Sequence, residues 1–240
     1  MKSKITIGIA GLLTAIALMP LLSAFEAHVV NVTARIENAL FVHPESLEYG
    51  TVFPQEHLFT SFGVMASQSF SSTDQRRVGI IEYVIKQKPK PRPALVLQLG
   101  KEGARDWCHQ NAPADANDPN DPYYINCYPS MCPYLSKTEV TPENPENDHG
   151  LPPFHNPDLV HASGTIIKFK NGSTINNDPI DQWELDLAVP CFKGMCAQDW
   201  DAFVLGLNPH AGDPKQYQLP PGLEHQVFGC DIWVEVTNIR

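Results

Sequence analysis

The sequence predicts a mostly β protein: a jelly-roll or immunoglobulin-like β-sandwich with a disulfide-braced irregular insertion at about 100–160 and one short helix. Three observations carry this. Several stretches alternate apolar and polar residues with the period of a half-buried strand. The 240 residues include 22 Pro and 15 Gly, which favours turns and loops over long helices. The six cysteines all lie at or beyond Cys108, three of them inside the insertion.

Met1 to Ala24 reads as a signal peptide. Lys2 and Lys4 precede an apolar run from Ile5 to Leu22, and Ser23-Ala24 offers small residues for cleavage. Gly8, Gly11 and Pro20 interrupt the run and favour cleavage over an uncleaved membrane anchor, the other reading of so long a stretch. The expected product is a secreted or cell-surface protein with no stable membrane span, folded as one domain over 25–240. Formal net charge is -10, and -12 once Lys2 and Lys4 are removed. Such acidity repels phosphate backbones, so nucleic acid is not an expected partner.

The mature chain opens on a strand from Phe25 to Val42, with Val30, Val32, Ala34 and Ile36 on one face and Asn31, Thr33, Arg35 and Glu37 on the other. Leu47-Glu48-Tyr49-Gly50-Thr51-Val52-Phe53-Pro54-Gln55-Glu56 follows, with a bend at Gly50 and a strand end at Pro54. Further strands are expected at Phe59–Phe70 and Val78–Gln87. The Pro- and cation-rich run Lys86 to Pro93 reads as an extended connector whose charge suits an acidic glycan or a neighbour's acidic surface. Ala94 to Leu99 reads as a short strand with Leu95, Leu97 and Leu99 inward. Strands resume at Thr165–Lys170, with a turn at Asn171-Gly172, and at Trp183–Val189. Trp200, Phe203, Val204 and Leu207 fall at i, i+3, i+4 and i+7, the spacing of a helix. Phe228 to Ile239 closes the chain as a strand.

Six cysteines in an exported chain imply three disulfides. Cys127/Cys132 and Cys191/Cys196 share a C-x4-C spacing that closes small loops, which leaves Cys108 for Cys230. The same pairs would suit zinc in a reducing compartment. No G-x-S-x-G, P-loop, G-x-G-x-x-G or H-E-x-x-H motif occurs, so no catalytic residue is assigned. Asp115, Asn117, Asp118 and Asp121 cluster oxygens suited to calcium, the one cofactor the sequence suggests, although Asp-Pro and Asn-Asp are also ordinary turn formers. Asn31-Val32-Thr33 and Asn171-Gly172-Ser173 have the form of glycosylation sequons.

The hydrophobic leader, the strand at Ala27–Val42, the LEYGTVFPQE stretch and the sandwich pattern behind it resemble the TasA/camelysin family of exported β-sandwich proteins. The resemblance implies a secreted subunit of extracellular fibres in biofilm matrix, assembled by a strand passed between subunits. The expected partners are then other copies or other surface and matrix proteins, with glycans as a further class. Val30, Val32, Ala34 and Ile36 would be the exchanged anchors. The alternatives are a secreted hydrolase drawing on Asp106, Trp107, His109, His149 and His155, or a carbohydrate-binding module using Trp107 or Trp233.

Overall fold

The alternating run Ile80–Lys88 buries Ile81, Tyr83, Ile85 and Gln87 and turns Glu82, Val84, Lys86 and Lys88 outward. It is the central strand of one of two sheets in the structure, a computed structural model that describes residues 38–71, 78–140, 148–168 and 180–240. The leader, residues 27–36 with the expected exchange anchors, and both sequons lie outside the described residues.

The described strands are β1 (Leu40–His43), β2 (His57–Ala66), β3 (Ile80–Lys88), β4 (Thr138–Glu139), β5 (Ala162–Ile167), β6 (Ile180–Ala188) and β7 (Asp231–Ile239). They form a mostly β, sandwich-like layout of two antiparallel sheets, ordered β1-β2-β6-β4 and β5-β3-β7. Phe62 and Val64 of β2 and Trp183 and Leu185 of β6 pack against Ile81, Tyr83 and Ile85 of β3 and Ile166 of β5. Each fully buried aliphatic side chain contributes about 1.5–3 kcal/mol of transfer free energy. Trp183, Leu185, Leu187 and Val189 lie inward as the alternation predicts, and so do Ile232, Val234 and Val236 of β7, but Asp186 and Ala188 on the expected open face of β6 are buried as well, because that end of the strand is covered on both sides.

One flank of the sandwich is stitched shut. Lys137, just before β4, exchanges two main-chain hydrogen bonds with Leu151, and His149 exchanges two with Ser163 of β5. Residues 148–151 therefore bridge the sheets. A Cβ on Gly150 would lie 2.6 Å from the Lys137 carbonyl oxygen, so only glycine lets the stitch run this close. With β4 and β5 joined, the outer strands of the opposite flank are β1 and β7.

Four described helices join the sheets: α1 (Gln68–Ser71), α2 (Pro93–Gln110), α3 (Pro122–Asn126) and α4 (Trp200–Leu207). The helix at Trp200 forms as its spacing predicts, with Trp200 and Val204 buried. The strand expected at Ala94–Leu99 does not: it is the first turn and a half of α2, which breaks at Gly100 (φ +74°). Pro93 occupies the first turn, where its missing N–H costs nothing, and Leu, Ala and Gln are helix formers. Only Leu95 of the three leucines turns inward; Leu97 is 89% exposed and Leu99 48%. The expected irregular insertion thus carries most of α2 and all of α3, and the single expected helix becomes four.

All six cysteines are paired, two pairs differently from the local-loop expectation. Cys191–Cys196 forms as its spacing suggests, but Cys108 pairs with Cys127 and Cys132 with Cys230. The physical reason is helical. α2 and α3 fold back together, with Leu95, Ala104, Cys108 and Cys127 in one small core, so Cys127 faces Cys108 rather than its sequence neighbour.

Candidate functional site

β7 is an edge strand of its sheet. Its inner side pairs with β3 over Asp231–Ile239, with a bulge opposite Glu82/Tyr83. Among the described residues its other side has no ladder partner. β1 mirrors it on the other sheet, paired among the described residues with β2 alone through Leu40–His43. Leu40 and Val42 pack toward the core while Phe41 stays half exposed. The flank between β1 and β7 is thus a seam bounded by two strand edges, and an edge strand is a template for another strand.

Beside the stitched flank, two strands and the stitch deliver carboxylates to one point. Oxygens of Glu139 (β4), Asp148 (the stitch) and Asp181 (β6) lie within 4.8 Å of one another. Tyr83 donates its hydroxyl hydrogen to Asp181 Oδ2, and Trp183 Nε1 donates to the Tyr83 oxygen at 2.8 Å. Burial and then the Asp181 charge push the Tyr83 phenol far above its usual range, so it stays a donor. The Thr165 amide donates to Asp148 Oδ1 at 2.7 Å. Burial raises the Asp148 carboxyl, and its hydrogen bond with Glu139 requires that one of the two acids hold a proton. An oxygen-only set with this spacing is suited to calcium if deprotonated.

A second buried cluster is built of basic groups. Lys137 is fully buried, and its Nζ donates to the Leu135 carbonyl at 3.2 Å. Gln87 lies beside it, 2.6 Å from His155 Nε2. Because the ring hydrogen of the neutral imidazole sits on Nδ1, Nε2 accepts from the Gln87 amide nitrogen; turned the other way, the amide oxygen accepts from Lys137 Nζ and the nitrogen donates to the Cys132 carbonyl at 2.5 Å. Burial pulls the Lys137 ammonium down to about 7. Burial, then the Lys137 charge, hold the His155 imidazole down to about 4, outweighing the hydrogen bond of Nδ1 to the Pro152 carbonyl at 2.8 Å. Neither cluster was legible as a site, because each gathers residues from strands far apart in sequence.

The chain matches no family model, no curated protein and no solved structure.

Of the residues that the sequence offered as calcium ligands, Asp115, Asp118 and Asp121 make hydrogen bonds within their own loop. Asp121 accepts from the amides of Ala114, Asp115 and Tyr123 at 2.8–3.0 Å, so Asp121 caps α3. Asp115 and Asp118 accept from Asn117 and Asn120, two residues on. These are turn-forming bonds, and among the described residues the grouping close enough to share an ion is Glu139, Asp148 and Asp181 instead. The residues a hydrolase would draw on do not meet either. Asp106 and His109 are exposed on α2, Trp107 stacks on Tyr123 with ring centroids 6.4 Å apart, His149 lies in the stitch and His155 is buried beside Gln87. No described helix is long and apolar enough to cross a membrane, and three disulfides are compatible with an extracellular protein.

Proposed function

We propose that this chain is a secreted or cell-surface structural protein, a matrix or fibre subunit of TasA/camelysin type that assembles by β-strand addition. The observation that carries the reading is the seam. One flank of the sandwich is laced by residues 148–151, while the other presents the edges of β1 and β7. A nine-residue edge strand offers main-chain groups for affinity, and its alternate side chains set register. The alternating segment 27–36 directly precedes β1 and carries Val30, Val32 and Ile36 as apolar anchors. Passed to the seam of a neighbour, it links subunits in a head-to-tail series, a contact that does not close on itself.

Deleting residues 25–36 is the test. The reading expects a folded monomer that no longer forms filaments by negative-stain microscopy, and that binds a peptide of residues 25–36. A mature protein that sediments as a monomer at high concentration, or a deletion that unfolds the domain, overturns it.

A further inference from the structure

In an acidic protein, one strip of the surface has the opposite charge. β3 and the five residues after it carry Lys86, Lys88, Lys90 and Arg92, and Arg105 of α2 joins them through Trp233. The carboxylates brought to this strip are Glu235, hydrogen-bonded to Lys86 at 2.8 Å, and Asp231, hydrogen-bonded to Arg105 at 2.9 Å. That leaves Lys88, Lys90 and Arg92 with no ion-pair partner among the described residues.

The three cations stand in a row by construction. Residues two apart on extended chain share a face, about 6.6 Å apart. Pro89 and Pro91 fill the alternate positions, with Pro91 buried. The segment is held rigidly. Tyr128 N–H donates to the Lys90 carbonyl at 2.9 Å and Arg92 N–H to the Asn126 carbonyl at 2.8 Å. The Cys108–Cys127 disulfide fixes that neighbouring chain to α2. Gly229 lets the row pass close, since a Cβ there would lie 2.8 Å from Lys90 Cδ and 3.1 Å from Tyr128 Cβ.

Aromatic rings border the row. Lys88 Nζ sits 3.6 Å from the Trp233 ring centroid, and the Arg92 guanidinium 4.4 Å from that of Tyr128. Arg92 is further oriented by its Nε hydrogen bond to the Tyr124 carbonyl at 2.7 Å.

We infer that this strip binds a linear acidic polysaccharide, a chain of uronate sugars. A row cannot converge on one phosphate or carboxylate, as a pocket does, but it matches an anion repeated along a polymer. The rings hold the cations in line, Lys88 over Trp233 and Arg92 over Tyr128, so the charged groups stay spaced for carboxylates repeated along a sugar chain. A densely charged duplex is disfavoured by the net charge of -10. Because the segment is pre-ordered by prolines and a disulfide, binding does not spend affinity on ordering it. The inference does not depend on strand addition.

The test uses an alginate oligosaccharide of about eight sugars as probe and maltooctaose as its uncharged counterpart, with binding followed by calorimetry at low salt. Lys88→Gln/Lys90→Gln leaves the Arg92 hydrogen bond intact and is expected to weaken alginate binding about tenfold. It should also flatten the dependence of log K on log salt by about two, one per cation lost. Lys193→Gln/Lys215→Gln, elsewhere on the surface, should bind as the parent does. Equal binding by the strip variant, equal binding of maltooctaose, or no binding of alginate overturns the inference. So does a salt-sensitive self-association that the strip variant abolishes without any polysaccharide binding, which would assign the strip to a second copy.

Discussion

His155 Nε2 lies 2.6 Å from the side-chain amide of Gln87 in the interior of the protein, and Lys137 Nζ reaches the same amide. The arrangement puts two basic groups on one neutral side chain, and no carboxylate is hydrogen-bonded to either among the described residues. Each basic group is therefore most stable uncharged.

For His155 the sign follows from its lowered pKa, about 4 in the fold against 6.5 in the open chain. The unfolded state binds the proton first, so stability falls as pH drops from 6.5 to 4. The groups that act on it are Lys137 and His161, both disfavouring its charge. The loss across that window is on the order of 2–3 kcal/mol. Asp148, whose carboxyl is raised, works in the opposite direction over acid pH, so the comparison must be made against His155→Asn. Urea midpoints measured from pH 7 to 4 should converge for the two proteins as pH falls. Parallel curves would contradict the assignment.

Lys137 makes an alkaline counterpart. Its fold value of about 7 lies below the ordinary lysine value of 10.5, so the buried amine sheds its proton while the unfolded chain keeps it. Stability should rise between pH 7 and about 9.5, by on the order of 2 kcal/mol, because each displaced pKa unit is worth about 1.4 kcal/mol and relaxation returns part. Lys137→Met should remove the slope. Denaturant titrations at three pH values check this, kept below the range where tyrosines ionise in the unfolded chain.

The disulfides should differ in worth. In a chain-entropy picture the 98-residue separation of Cys132–Cys230 corresponds to about 4–5 kcal/mol, the 19-residue Cys108–Cys127 to about 3 and the 5-residue Cys191–Cys196 to about 2. Pairwise Cys→Ala variants ranked by midpoint of unfolding give the order. Non-reducing peptide mapping that recovers Cys127 linked to Cys132 would contradict the pairing itself.

The loop at 114–123 is organised by Asp121, whose carboxyl is held below the usual range by hydrogen bonds from the Asp115 and Tyr123 amides. Asp121→Ala should speed amide hydrogen exchange at Asp115 and Tyr123. Added calcium should leave exchange in this loop unchanged in the parent protein, because the oxygens are engaged by the backbone. Calcium-dependent protection confined to 114–123 would show that the loop opens to bind the ion.

What was legible in the sequence followed local periodicity. Trp183–Val189 and the closing strand alternate because one side of each faces the core, and Trp200–Leu207 repeats at helical spacing because one stripe is buried. The misreadings came where a period was present for another reason. Leu95, Leu97 and Leu99 alternate by two, yet Pro93 starts a helix and leaves two of them facing solvent. Cysteine spacing misled similarly, since sequence proximity says nothing of a helix that turns Cys127 back onto α2. Nothing near Lys137 in the sequence marks it as buried. Its surroundings are made by Gln87 and His155, roughly 50 residues upstream and 18 downstream.

The Cys132–Cys230 bridge governs how the protein bears a load. A pull on Arg240 peels β7, but only the ten residues after Cys230 can be drawn out. At about 3.5 Å per extended residue that is about 35 Å of slack. Beyond it, tension crosses the sulfur bridge to Cys132 and continues toward the N-terminus. The chain between the two sulfurs, which includes β5, β6 and α4, is bypassed and carries no force. Stretched by its ends, the molecule therefore yields only the chain outside its bridges, the ten residues after Cys230 and the segments before Cys132 that the Cys108–Cys127 bridge does not close, while the passenger loop stays shut by a covalent bond whatever the strength of its sheets.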